Sequence, residues 1–270
     1  LVEVVCISSG KGGTGKSVLA SNLGVALAAT SRVTILDADL GLANIHILFN
    51  LTPRYNAAHL ISQERTMEEV LLRGPRDVGV IPGGSGIPEL ASLSESMLKT
   101  LINGIATLER STDTLIIDMP GGLDRQSLLF LLAADRVLVV TTEDITAMTD
   151  AYAVIKTIFT QRPQAAVALI VNRARSQEAG LETYQKVAHV ARKFLGRELA
   201  LAGIVPFDEM VERSVAERVP VVIGHPECPA ARAITMIGAR LEVSPSSAAS
   251  ERQAFSARFR ALVARPQAPR

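Results

Sequence analysis

Gly10 to Ser17 reads Gly-Lys-Gly-Gly-Thr-Gly-Lys-Ser, between a β-branched apolar run from Val2 to Ser8 and a helical pattern from Lys16 to about Ala29. Strand, glycine-rich loop and helix in that order form the setting in which this spacing cradles a phosphate. Gly10, Gly12, Gly13 and Gly15, with Thr14 between them, let successive backbone N–H groups turn towards one anion. The following helix N-terminus adds partial positive charge. Lys16 is then placed for the β- and γ-phosphates of a nucleotide and the Ser17 hydroxyl for Mg²⁺.

Further short apolar runs follow at Arg32 to Asp37, Val78 to Ile81, Thr114 to Asp118, Arg136 to Thr141, Ala166 to Asn172 and Leu201 to Val205. Helical patterns fall between most of them, at Ser94 to Leu108, Arg125 to Ala134, Ala147 to Thr160 and Leu181 to Leu195. Parallel strands need crossover connections, so this alternation predicts one α/β P-loop NTPase domain over residues 1–243. Its sheet is mostly parallel, with helices on both faces. A Ser/Ala/Pro stretch at 244–250 reads as a linker to a C-terminal segment, 251–270.

Composition narrows the function. Apolar residues make up 48% of the chain, enough for a sizeable core, and a net charge of +1 gives no argument for bulk nucleic-acid binding. Cys6 and Cys228 are too few and too isolated for a disulfide framework or a CxxC metal site, which fits a cytoplasmic protein. The start, Leu-Val-Glu-Val-Val, has no basic leader of a secretory signal and no initiating methionine. The longest apolar run, Leu128 to Val140, is interrupted by Asp135 and Arg136 and cannot span a bilayer.

Lys11 lies inside the loop, where an ordinary P-loop requires no lysine. A mobile cation against the transferring phosphate stabilises the transition state, as arginine fingers do, and a partner subunit can deliver it. Asp37 and Asp39 end the second strand, at the edge where open α/β sheets bind ligands. One carboxylate is expected to hold a metal-bound water. The other, assigned here to Asp39, orients the attacking water while the adjacent Gly41 allows the segment to move. Asp118 ends an apolar strand in the Walker B manner, reaching Mg²⁺ through water, and Gly121 can offer its N–H to the γ-phosphate.

Asn172 follows the sixth strand, and its amide can pair with adenine through one donor and one acceptor. Arg173 and Arg175 stand where a guanine-reading motif needs Lys and Asp, so ATP is favoured over GTP. Pro206-Phe207-Asp208 is placed to close over the base, although a plain helix N-cap accounts for Asp208 equally well.

Taken together, GKGGTGKS, DADLGLAN and IIDMPGG resemble the MinD/ParA family of deviant Walker A ATPases, over about Val2 to Leu241. GLANIHILFNLTPRYNAAHL, IPGGSG and TAMTDAYAVIK look most like its FlhG/FleN branch, which controls flagellar number and placement. The resemblance implies a homodimer with ATP sandwiched between subunits, Lys11 crossing to the partner's phosphates, and hydrolysis resetting monomers. It also implies the flagellar GTPase FlhF, flagellar switch proteins or a transcription activator as partners. Two departures stand out. The sequence starts at the first strand without the N-terminal extension that stimulates FlhF, which means either that the extension was cropped or that this partner is not used, and the second switch, Asp-Met-Pro-Gly-Gly, is closer to the broader MinD/Mrp pattern. The iron-sulfur carriers among these relatives need a CxxC that this chain lacks.

Phe255, Phe259, Leu262 and Val263 fall on one helical stripe flanked by Arg258, Arg260 and Arg265. Such a segment can lie in an anionic surface at the inner face of the cell membrane, as MinD-like tails do, or pack on its own domain. Two other functions stay open. One is a ParA-like partition ATPase using Arg173, Arg175, Arg192, Lys193 and Arg197 on DNA, and the other is an ATP-gated module that inhibits a transcription activator.

Overall fold

In the computed structural model, residues 1–84, 93–243 and 253–264 are described. From the N-terminus the elements are β1 (Glu3–Ser9), α1 (Lys16–Leu27), β2 (Val33–Asp37), α2 (Ile45–Leu48), α3 (Ala57–Ile61), α4 (Met67–Val70), β3 (Leu72–Arg73) and β4 (Gly79–Ile81). They continue as α5 (Glu95–Leu108), β5 (Thr114–Gly121), α6 (Arg125–Ala133), β6 (Arg136–Thr141), α7 (Ile145–Gln161) and β7 (Ala166–Ala174). The last are α8 (Gln177–Leu195), β8 (Ala200–Pro206), α9 (Glu209–Glu217), α10 (Val221–Gly224), α11 (Pro229–Val243) and α12 (Phe255–Val263).

The strands form one sheet in the order β3-β4-β2-β5-β1-β6-β7-β8, parallel throughout except for the short β3–β4 pair. Val4, Val5, Cys6 and Ile7 of β1 are all buried, because both faces of a parallel sheet are covered by crossover helices. Leu101, Ile105, Phe130 and Ile155 build the core on one face, and Leu23, Ile35, Ile234 and Ile237 the core on the other. With β1 between β5 and β6, the chain runs to β2 on one side and to the later strands on the other. The C-terminal end of β1 is therefore the point where an open sheet offers a crevice.

The predicted strands and long helices are all present, with ends displaced for local reasons. Helix α7 begins at Ile145 because Asp144 caps it, accepting from the Thr146 N–H at 2.8 Å. Ser176 does the same for α8, accepting from Ala179 at 3.1 Å, so that helix starts four residues before Leu181. Strand β5 runs on through Gly121 because β1 remains paired with it, Ser9 opposite Gly121. The small elements α2, α3, α4 and β3 carry too few residues for a periodic signal.

The C-terminal stripe is real, and its own domain covers it. Phe255 and Phe259 are 1% exposed and Val263 is buried with them, seated on α5 and α6 with the Phe259 ring 4.8 Å from that of Phe130. Arg258 turns inward as well: its guanidinium lies 2.7 Å from the buried Asp135 carboxylate, whose other oxygen accepts from the Val4 N–H at 2.9 Å. Of the two alternatives, packing on its own domain describes the helix seen, with Arg258 turned to Asp135. The 244–250 linker, Arg265 and the Ser85-Gly86 end of the IPGGSG segment lie outside the described residues. Among the described residues, no helix is long and apolar enough to cross a membrane.

Candidate functional site

The loop between β1 and α1 takes the shape its glycines allow. Gly13 and Gly15 adopt φ of 81° and 90°, left-handed values that a side chain resists. Gly10 is required for a second reason: a Cβ there would collide with the α7 backbone at Asp150. Gly15 likewise leaves no room, since the Asn172 side-chain amide lies directly against it.

Lys16 is buried at the head of α1, and its ammonium group donates to Ser9 Oγ at 2.9 Å. Burial lowers its pKa, while the Asp118 and Asp39 carboxylates push the other way. Those two groups and Asp37 thus converge on the loop as anticipated. Asp37 is fully buried, and its Oδ2 accepts from the Asn44 and Ile45 N–H groups at 2.7 and 3.0 Å. One oxygen of this expected metal-site residue is therefore clamping the 38–45 segment, leaving Oδ1 with a single 3.3 Å contact from the Asp39 N–H. Burial raises the Asp37 carboxyl, and the neighbouring Asp118 pushes it further up. Burial likewise raises Asp118, against the pull of the Ser17 hydroxyl and Lys16.

Asp118 Oδ1 is buried without a hydrogen-bond partner, as is Thr14 Oγ1. An orphaned, buried carboxylate oxygen beside Ser17 and Lys16 is costly unless something cationic or protic meets it. The donor set, two carboxylates and a hydroxyl, is the oxygen-only chemistry that suits Mg²⁺.

Gly121 packs against the loop so closely that a Cβ would lie 2.7 Å from the Gly12 nitrogen, and the Gly122 N–H donates to the Ser9 carbonyl at 3.1 Å. The segment at the end of β5 therefore abuts the phosphate loop directly. Lys11 reaches outward, and its ammonium group contacts Asp144 Oδ2 at 2.9 Å and Thr146 Oγ1 at 2.5 Å. Lys11, then the Thr146 hydroxyl, hold the Asp144 carboxyl well below the usual carboxylate range.

For the base, a cavity of about 260 Å³ opens beside the loop, lined by Gly15, Leu19, Asn172, Pro206, Phe207 and Val211 among others. Asn172 donates one N–H to the Thr14 carbonyl at 2.8 Å, which leaves its other N–H and its carbonyl oxygen for a ligand. Asp208 lines the same cavity, yet its carboxylate is engaged: Oδ1 accepts from Met210 N–H at 3.0 Å and Oδ2 from Ala230 N–H at 3.1 Å. It caps α9 and ties that helix to α11, so the capping account describes it, and a base contact through the carboxylate does not.

Two features were missed. Arg173 adopts φ of 57° where β7 bulges, which places its guanidinium 5.8 Å from the Phe207 ring centre and 3.7 Å from Glu212. Asp144 as the holder of Lys11 is the other; its capping position before α7 is the signal that marks it.

A glycine-rich loop between a central parallel strand and a helix, with one carboxylate, Asp118, in the neighbouring β5 and another, Asp37, ending β2 beside it, defines a P-loop NTPase. The family model described as ParA, NUBPL iron-transfer P-loop NTPase, matches residues 1–242. The chain is 33% identical to the antiactivator FleN of Pseudomonas aeruginosa, over 90% of this chain and 88% of that protein. It is 32% identical to the flagellum site-determining protein YlxH of Helicobacter pylori, over 80% and 74% respectively. The cell division ATPase MinD of Pyrococcus furiosus superposes with a TM-score of 0.74 at 25% identity, covering 90% of this chain and 99% of that one. The chain belongs to the ParA/MinD family of P-loop ATPases.

Proposed function

We propose that this ATPase is a dimerising switch of the FlhG/FleN kind, acting in the control of flagellar number or placement. ATP sits with its phosphates on the Gly10–Gly15 loop and Lys16, and its base in the cavity under Asn172 and Pro206. Ser17, Asp37 and Asp118 would hold Mg²⁺, which would supply neutralisation of the phosphate charge. Asp39 orients the attacking water, and Gly121 donates to the γ-phosphate.

The observation that carries the reading is the place of Lys11. Its ammonium group leaves its own phosphate loop for a pair with Asp144 that is half-exposed on both sides, at 34% and 52%. An exposed ion pair is weak and exchanges readily, so a second subunit's triphosphate competes well for this lysine. Each nucleotide is then completed by the other chain.

FleN, an antiactivator by name, covers nearly the whole chain, and a role on a protein partner such as a transcription activator leaves α12 in its seat. Membrane cycling through α12 instead requires Phe255, Phe259 and the Arg258–Asp135 pair to come out of the domain. The protein-partner form of the switch is therefore preferred.

Molar mass in solution without nucleotide, with Mg·ADP and with Mg·ATP tests the switch. The parent chain doubles its mass with Mg·ATP alone, and Lys11→Ala does not. A parent that takes up no Mg·ATP, or binds it without change of mass, contradicts the proposal.

A further inference from the structure

We propose that Gly83, on the loop after β4, is a positioning residue for hydrolysis: it fixes where Asp39 stands. The inference rests on the assignment of Asp39 to the attacking water.

Strand β4 runs parallel to β2 in the register Thr34–Gly79, Ile35–Val80 and Leu36–Ile81. Carried on by two residues, that register brings Gly83 beside the segment that leaves β2 with Asp37, Ala38 and Asp39. The approach is close. A Cβ on Gly83 would lie 3.0 Å from the Ala43 Cβ and 3.1 Å from the carbonyl oxygens of both Asp37 and Asp39. Gly83 is not among the residues with positive φ, so what demands glycine here is lack of space and not a backbone angle.

The loop cannot easily retreat. Pro82 accepts at its carbonyl from the Ala57 N–H at 2.9 Å, which pins it to the first residue of α3. Ala57 is fully buried, and the Asn56 side chain caps that helix by accepting from Ala58 at 3.0 Å. On the opposite side Asp37 cannot retreat either. It is fully buried, paired across from Asp118, and followed by Ala38, whose N–H donates to the Asp118 carbonyl at 2.9 Å.

What can yield is Asp39 itself, beyond the strand and partly exposed, because Leu40 and Ala43 are buried and the Asn44 and Ile45 N–H groups are held by Asp37. A side chain on Gly83 therefore displaces Asp39 and leaves Asp37 in place. From 3.1 Å to ordinary van der Waals contact at 3.4–4 Å asks for a shift of roughly 0.3 to 0.9 Å, which reaches past the about 0.5 Å that sites of this kind tolerate. A misplacement near 1 Å costs turnover on the order of 100-fold. The phosphate loop and the cavity for the base are built from other segments, so nucleotide affinity is left alone.

Steady-state ATP turnover and Mg·ATP affinity of Gly83→Ala, Gly83→Ala/Ala43→Gly and Asp39→Ala, each with its melting temperature, test this. Gly83→Ala should lower kcat at least tenfold with affinity within about threefold, and Ala43→Gly, by removing the nearest clashing methyl, should restore part of the loss. A kcat within twofold of the parent overturns the proposal. So does a loss of kcat that comes with an equal loss of affinity and of melting temperature, or one that Ala43→Gly leaves untouched. Asp39→Ala separates the two claims: if it retains parental turnover, the assignment of Asp39 has failed, whatever Gly83→Ala does.

Discussion

Lys11 and Asp144 lie 2.9 Å apart within one subunit, and the carboxylate that holds the lysine is the one that caps α7. The cation proposed to serve a neighbouring chain is thus held on the helix that packs against Gly10 of its own phosphate loop. Asp144→Asn keeps the cap on Thr146 and removes the charge. Dimer formation with Mg·ATP should then need less protein, by a factor up to about five for each of the two pairs released per dimer, as expected for losing exposed pairs. Sedimentation of the parent and the variant at several concentrations reads this directly, and an unchanged midpoint would mean that the pair does not restrain Lys11.

Asp39 should be dispensable for binding and required for turnover. Asp39→Ala is expected to bind Mg·ATP within a few-fold of the parent while hydrolysis falls by about 100-fold or more, the usual loss when a water-orienting carboxylate is removed. Equal losses in binding and turnover would move Asp39 from the reaction to the architecture of the site.

Asn172 joins the two halves of the nucleotide site, bonding Thr14 of the loop and lining the cavity. Asn172→Ala should weaken ATP by about tenfold, the worth of one to two hydrogen bonds left unmade, and narrow the preference for ATP over GTP. Competition titrations with both nucleotides measure it; a variant with parental discrimination would place base recognition elsewhere.

The clamp on α12 predicts a stability effect far from the nucleotide. Arg258→Ala leaves the buried Asp135 carboxylate the Val4 N–H and the nearby Arg162 charge, and should cost about 3 kcal/mol in urea unfolding, the lower end for a broken buried pair. Phe259→Ala empties a fully buried ring position and should cost about as much. Losses below about 1 kcal/mol for both would mean that α12 is only loosely seated, which would return the helix to a membrane role.

Most of this fold is legible in the sequence because a parallel sheet writes itself as apolar runs separated by helical periods. The phosphate loop and the aspartates at 37, 39 and 118 are legible because each lies at or just past the apolar part of a strand that the pattern locates. Contacts between distant segments are not. Nothing near Gly83 in the chain announces the carbonyls of Asp37 and Asp39, and nothing in the Phe255–Val263 stripe distinguishes a lipid surface from Phe130. Asp208 shows the same limit: a carboxylate before a helix reads equally as cap or ligand until the Ala230 amide takes its second oxygen. The left-handed turn at Arg173, which sends its side chain towards Phe207, is equally silent in a residue with a Cβ.

The most direct test of Lys11 acting across the interface mixes two variants, each inactive alone. In a mixed dimer of Lys11→Ala and Asp39→Ala, the first chain keeps its own Asp39 and receives the lysine of the second, so one complete site forms. ATP turnover of the mixture is predicted to rise well above the sum of the separate variants. A mixture no more active than that sum would contradict the account, since it would place Lys11 on the phosphates of its own chain.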